Sequence, residues 1–475
     1  MNFAKSPETP SLADIAMLGQ ALLVLSLTAL PQQVLAQEAN TGGSLGPSQN
    51  VQQPAPAVAP AEERLFGDWG GVRTSLGNLG IKLTIDFTSE FASNISGGTE
   101  QGSTFANQIG FEADIDWDKL AGIRGFSTHT VIANRSGSSD SVLFGDHVNA
   151  VQEIYGGGGD VVAHFVYAYG EESLDGGQID IAAGRIPVLN DFGASPLYCD
   201  FMNVSICGNP GMLTPSDPGF SVYPDATWGG RIRVKPTEQT YVQAGAYEVS
   251  QGLFEIPYFR SGWNFDTSKD SGVEFPVEIG YEPQIGGDKL PGHYKIGVGF
   301  DTSNDKDLYL DSNGDPALLS GLPFANHHGK LDLWALADQM LLRNGPGGDD
   351  GLILLGAFVH GDPATSTYQN QYTAGLLDRA FWSARPQDSI GALVTYQEMS
   401  GSLGKEQALE QDFGMPIANE ATGIQTSEVI FEINYSIHVM SGVDFQPDFQ
   451  YVVRPNAETD IRNATVLGFR THVKF

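Results

Sequence analysis

Residues 428–475 read EVIFEINYSIHVMSGVDFQPDFQYVVRPNAETDIRNATVLGFRTHVKF, and their spacing decides the fold. In the first run Val429, Phe431, Ile433, Tyr435, Ile437 and Val439 share one parity, while Glu428, Glu432, Asn434, Ser436 and His438 take the other. The second run sets Val443, Phe445, Phe449, Tyr451 and Val453 against Asp444, Gln446, Asp448, Gln450 and Arg454. The third sets Thr465, Leu467, Phe469, Thr471, Val473 and Phe475 against Gly468, Arg470, His472 and Lys474. A strand turns successive side chains to opposite faces, so each run has one greasy face and one wet face. Three such strands in a row, closing on an aromatic, suit a barrel in lipid around a wet lumen. They also suit a soluble antiparallel sheet with one solvated face.

Composition narrows the choice. The chain has 475 residues, with 57 acidic against 25 basic groups and a formal charge of −32. Such an acidic balance argues against nucleic-acid binding, which draws on basic patches. The 58 glycines, 10% aromatic content and mean hydropathy of −0.15 suit many strands and turns. An apolar run at residues 15–30, then Val34, Leu35 and Ala36, has the form of a secretory signal peptide cleaved after Ala36, although Glu8 and Asp14 dilute its positive start. Residues 37–63, rich in Gln, Pro and Ala, read as a flexible periplasmic tether, and residues 64–475 as the folded unit. No later stretch is long and apolar enough to span as a helix, so a membrane-embedded chain must close its backbone ladders into a barrel.

Inside the folded unit, Val72, Leu76 and Leu79 form a short helix stopped by Gly80, ahead of a first strand in which Leu83, Ile85, Phe87 and Phe91 alternate with polar residues. Phe111, Ala113, Ile115 and Trp117 alternate with Glu112, Asp114, Asp116 and Asp118. Ile232 and Val234 alternate with Arg231, Arg233 and Lys235. Rows of like charge on one strand face repel unless wet or opposed by the other sign. Further strands fall at 241–247, 293–301, 331–340, 352–360 and 390–397, with weaker alternation.

Several of these segments carry a resemblance. GDWGGVRTSLGNLGI running into DFTSEFASNISGG resembles the opening of the carbohydrate-selective, OprB-like porins of Gram-negative outer membranes. The likeness continues in GRIPVLNDFGASPLYCDFMNVSICGNPG, YPDATWGGRIRVKPTEQTYVQAGAYEV, FDTSNDKDLYLDSNGDPALLSG and the QPDFQYVVRPN…ATVLGFR ending. It implies an all-β, transmembrane antiparallel barrel of sixteen strands, through which sugars diffuse passively. The protein would work as a monomer or homotrimer, with neutral sugars and the outer-membrane bilayer as partners and no cofactor. Phe475 resembles the terminal aromatic read by the outer-membrane insertion machinery. A general or ion-selective porin on the same scaffold, and a secreted glycan-binding β-protein, are the alternatives.

Other motifs are weaker. Cys199 and Cys207, the only cysteines, have seven residues between them and are expected to bond in an exported protein. Asp311, Asn313 and Asp315 space oxygens like the start of a calcium loop, but Pro316 and Leu322 stand where glycine and glutamate belong. The glycine run at 156–159 lacks a following helix and reads as a turn. No nucleophile elbow, HExxH or P-loop is present, so catalysis is not expected.

A neutral sugar offers hydroxyls at its rim and C–H faces, and is favoured by planar charged groups beside an aromatic ring. The candidate basic wall is Arg231 and Arg233, and the acidic wall Glu112, Asp114 and Asp116. Trp228 and Tyr198 are candidate platforms. Arg185 is a lesser candidate because its parity matches apolar Ile179 and Ile181. The same charges could instead bridge one another and stiffen the wall. Asp68, Trp69 and Arg73 could narrow the inner mouth or pin the helix to the barrel.

Overall fold

The computed structural model describes residues 64–155, 161–254 and 262–475, with Tyr155, Val161, Val162 and Phe254 described by their backbone. The signal-peptide and tether expectations, and the turn at 156–159, lie outside the described residues. A short helix, α1 (Val72–Asn78), precedes the wall. The strands follow as β1 (Ile81–Ser96), β2 (Gly102–Asp116), β3 (Phe126–Gly137), β4 (Val161–Leu174), β5 (Ile179–Ile186), β6 (Thr227–Thr237) and β7 (Thr240–Ser250). β8 comes in two pieces, Asp270–Glu274 and Val277–Tyr281, each paired with both neighbours and separated at Pro276, which has no N–H to give the ladder. β9 (Leu290–Asp311), β10 (Phe324–Arg343), β11 (Gly351–His360), β12 (Tyr368–Arg379), β13 (Ser389–Met399), β14 (Ser427–Met440), β15 (Val443–Val453) and β16 (Ala464–Lys474) complete a closed antiparallel barrel of sixteen strands.

Closure comes from β1, which pairs on one side with β2 and on the other with β16, placing Phe91 opposite Phe469 and Phe87 opposite Val473. The chain ends are stitched at this seam. Phe475 donates its amide to Ile85 O at 2.9 Å, and Leu65 donates to Lys474 O at 2.7 Å. Arg73 reaches the carbonyls of Phe475 and Leu83 while stacking 3.8 Å from the Trp69 ring. Arg73 therefore pins α1 to the seam.

The alternation read from residues 428–475 is realised inside out. Phe431 and Ile433 are 43% and 52% exposed on the outer surface, whereas Glu432, Gln450 and Arg470 face inward and are buried. Connections at the end that carries the chain termini are short, two residues at 238–239 and at 441–442. At the other end two long connections turn into the barrel, through residues 138–155 and 187–226. The alternation weakens in β10–β13 for a definite reason. Their inward side chains Trp334, Leu336, Met340, Ile353, Leu355, Val359, Leu377 and Leu393 are apolar, because Phe192, Leu197, Phe201, Met212 and Phe220 of the 187–226 loop pack on them. Where they meet that loop, β10 and β11 are apolar on both faces, while Asp332, Asp338, Gln371, Thr373, Thr395 and Gln397 remain polar members of the inner face.

Lipid must face the odd-numbered residues of β14. Ile433→Arg is expected to cost about 2–4 kcal/mol near the bilayer centre, read by urea unfolding in lipid vesicles. A cost near zero would mean that this face does not meet lipid.

Candidate functional site

The wide interior left by sixteen strands is narrowed where the two long loops meet the wall. From the first loop, at residues 138–155, Ile154 donates its amide to Glu90 Oε2 of β1 at 3.2 Å and gives its carbonyl to Arg135 Nη1 of β3 at 2.7 Å. Arg135 also donates to Gln108 of β2 and lies 5.0 Å from the Tyr223 ring of the second loop. Arg470 of β16 sits 3.8 Å from Glu90 and donates to Cys199 O and Gln446 Oε1 at 3.1 and 2.8 Å. Glu153, in the loop, joins these charges: burial pushes its carboxyl up, and the Arg135 and Arg470 guanidiniums oppose the push. Two cations and two carboxylates, from β1, β3, β16 and the first loop, thus gather at the narrowing.

Below the loops, toward the short-turn end, lie two lumenal cavities. One, of about 720 Å³, is lined by Lys82, Asp114, Lys119, Ser127 and His129. The other, of about 260 Å³, lies under Asp200 of the 187–226 loop and is lined by Arg379, Ser389, Ser436, Asp444, Gln446, His472 and Lys474, among others. Both signs of charge border it. Arg379 places Nε and Nη2 on Asp200 Oδ2 at 3.2 and 2.6 Å and Nη1 on Asp349 at 3.2 Å.

The expected wall residues divide. Asp114 faces the larger cavity, 2.6 Å from His129 Nδ1. Glu112 also points inward, accepting the Tyr167 hydroxyl at 3.2 Å. Asp116 ends β2, and its Oδ1 accepts the amides of Asp118 and Lys119 at 3.0 and 3.2 Å, so it caps a turn at the cavity's edge instead of extending an acidic row. Arg231 and Arg233 face inward but are committed within the protein. Arg231 bridges Asp191 at 2.9 Å and Glu171 at 3.0 Å, and Arg233 donates to Gln243 at 2.7 Å over the Tyr241 ring.

The platform assignments need correction. Trp228 is an odd number of positions from Arg231, so it falls on the outer face, 44% exposed and beside Phe265. Tyr198 is buried in the loop's apolar packing and gives its hydroxyl to Gly356 O at 2.8 Å. Arg185, on the parity of Ile179 and Ile181, ties loops at the rim through Ala226 O at 3.2 Å and Gly262 O at 2.5 Å. The Asp311 carboxylate accepts the amides of Asn313 and Asp315 at 2.8 and 3.1 Å, closing its turn on itself, and no metal shell is formed among the described residues. The Cys199 and Cys207 sulfurs are buried, 2.6 Å apart, and unbonded in the structure.

Glu90, Arg135, Glu153, Asp200, Arg379 and Arg470 were not singled out from the sequence. Arg470 stood on the wet parity of its strand, which was a usable signal. Arg135 shares its parity with Val131 and Ala133, which masks it.

A closed barrel whose charged lumen is narrowed by its own loops is a porin. The chain belongs to the OprB family of carbohydrate-selective porins, whose family model matches residues 100–475. It is similar to Porin B of Pseudomonas aeruginosa, 27% identical over 436 residues covering 89% of this chain and 93% of that protein. It is also similar to the putative porin QuiX of Acinetobacter baylyi, 26% identical over 429 residues covering 86% and 93%. The high-pH structure of Pseudomonas putida OprB superposes with a TM-score of 0.80 at 28% identity, covering 88% of this chain and all of that one. Family and fold together point to the outer membrane.

One loop carboxyl is expected to make the seating of the 187–226 loop depend on pH. Asp217 is fully buried, and burial pushes it well above the usual aspartate range; Lys330 opposes the push, and Asp332, Glu274 and Asp301 add to it. A raised pKa means that the seated loop favours the neutral form of this acid. Seating is therefore firmest at acid pH and weakens as pH rises from the ordinary aspartate range through the raised value. Proteolysis within 187–226 should be faster at pH 9 than at pH 6, and Asp217→Asn should flatten the difference. Equal rates in the native protein would refute this.

Proposed function

We propose that the protein is a passive outer-membrane channel for neutral sugars of monosaccharide size. The observation that carries this reading is the smaller lumenal cavity. At about 260 Å³ it has room for one hexose, and Arg379, Lys474, Asp200 and Asp444 give its border both signs of charge. Opposed charges leave little net attraction for an ion yet offer many donors and acceptors to a ring of hydroxyls. Weak, multiple contacts suit passage, because a tight site would hold the solute. The family's description as carbohydrate-selective supports the same reading.

The test is solute entry into liposomes, comparing glucose, a disaccharide and an uncharged amino acid, with single-channel current recorded with and without glucose. Glucose entering faster than its size predicts, and blocking current, is expected. Gln446→Ala should weaken that block several-fold. Entry ordered by size alone, with no block, would favour the general porin.

The same reading covers maturation. Residues 1–36 direct export and are removed after Ala36, which leaves residues 37–63 as a periplasmic tether. Phe475 serves the insertion machinery before it docks at the seam, so deleting it should lower the yield of heat-modifiable barrel while leaving the conductance of surviving channels near native. Normal assembly of the deletion would end that role. We infer that Cys199 and Cys207 form a disulfide in the exported protein, a reading supported by their buried, neighbouring sulfurs. Alkylation under denaturing, non-reducing conditions should leave both unlabelled, and label on either would exclude the bond.

A further inference from the structure

The part of the 187–226 loop that reaches across the lumen is held by backbone amides, and two wall carboxylates receive them. Glu278 of β8 is fully buried and accepts four hydrogen bonds. Its Oε1 takes the Tyr241 hydroxyl at 2.8 Å and Gln243 Nε2 at 2.9 Å. Its Oε2 takes Trp334 Nε1 at 2.7 Å and the amide of Gly193 at 2.8 Å. Well around the wall, Glu432 of β14 is equally buried and grips the loop with both oxygens, taking the Met202 amide at 2.6 Å and the Asn203 amide at 2.9 Å. Between these grips lie Cys199 and Asp200, and the Asp200 carbonyl receives Asn434 and Gln446 at 2.9 Å each. The Asp200 side chain borders the smaller cavity.

We propose that Glu278 and Glu432 are positioning residues that fix residues 193–203 as a strut across the lumen and thereby set the size of solute that passes. A carboxylate suits the task. It accepts on both oxygens, and its charge strengthens each bond to an amide. Glutamine keeps the shape but can accept on only one side. At Glu278, where all four partners are donors, its NH2 would meet two further N–H or O–H groups, and at Glu432 it would face a backbone amide. The apolar packing on Trp334, Leu336 and Leu355 keeps the loop in the barrel when one grip is lost. The strut then drifts instead of leaving. Neither residue borders either lumenal cavity, so both act through Asp200 and its neighbours.

This inference rests on the sugar-channel reading. The experiment measures the disaccharide-to-glucose entry ratio in liposomes for the native protein, Glu278→Gln and Glu432→Gln, with heat-modifiable migration confirming that each barrel has closed. Expected is a several-fold rise in the ratio and added open-channel current noise in both variants, with glucose entry itself retained. Should either glutamine variant fail to assemble, Glu278→Asp and Glu432→Asp keep the charge but draw the oxygens back from the loop amides, and the same rise is expected. A ratio and noise level equal to native in closed barrels would overturn the strut. Failure of the native protein to prefer glucose would instead overturn the channel reading, and the two failures are distinct.

Discussion

The ladder between β1 and β16 is the constraint on which the rest depends. Bilayer hydrocarbon offers no partner to a free N–H or C=O, so a sheet in lipid cannot keep an edge. The first strand must therefore find the last, across nearly the whole described chain. Phe91 opposite Phe469, the Phe475 amide on Ile85, and Arg73 on the final carbonyl all serve that one junction. Once it is made, each strand has a fixed inside and outside. Period-two sequence then becomes a lipid face and a lumen face without further instruction.

A barrel of this girth leaves an interior too wide to choose among small solutes, and the selection falls to the loops. A loop in water-filled space is free to wander unless something on the wall holds it. Here two kinds of hold operate together. Apolar contact with β10–β13 keeps the 187–226 segment in the lumen but is tolerant of small slides. Hydrogen bonds from Arg470, Asn434 and Gln446 are directional, and they fix where Cys199 and Asp200 stand. The loop's location and its exact registration thus have separate physical causes.

That separation also explains what could be read from the residues alone. The strands at 428–475, the helix at Val72–Asn78 and the stop at Gly80 follow from local periodicity, and a local signal is present in any single sequence. Inward charge on Glu112, Asp114, Arg231 and Arg233 followed from parity. Whether an inward charge meets solute or another side chain depends on a loop arriving from elsewhere in the chain. Arg231 meets Asp191 of that loop, and nothing near Arg231 in sequence announces it. Tyr198 misled because a tyrosine in a loop looks accessible, whereas this loop is interior. Trp228 misled differently. Its parity opposed that of Arg231, and its place beside the strand's start hid the conflict.

The apolar inner wall of β10–β13 has a consequence for how the protein is made. Most strands of such a barrel carry a polar face that water can wet during passage to the membrane. Residues 331–359 carry Leu331, Leu333 and Leu354 on one side and Trp334, Leu336, Ile353 and Leu355 on the other. Until the 187–226 segment covers them, these inward apolar residues, interrupted by Asp332 and Asp338, give the stretch less wet face than the other strands have. Segments of that kind are sticky in transit. The interior loop is thus more than a filter in the finished channel. It also covers apolar surface that would otherwise stay open, so docking of the loop and closure of the wall support each other.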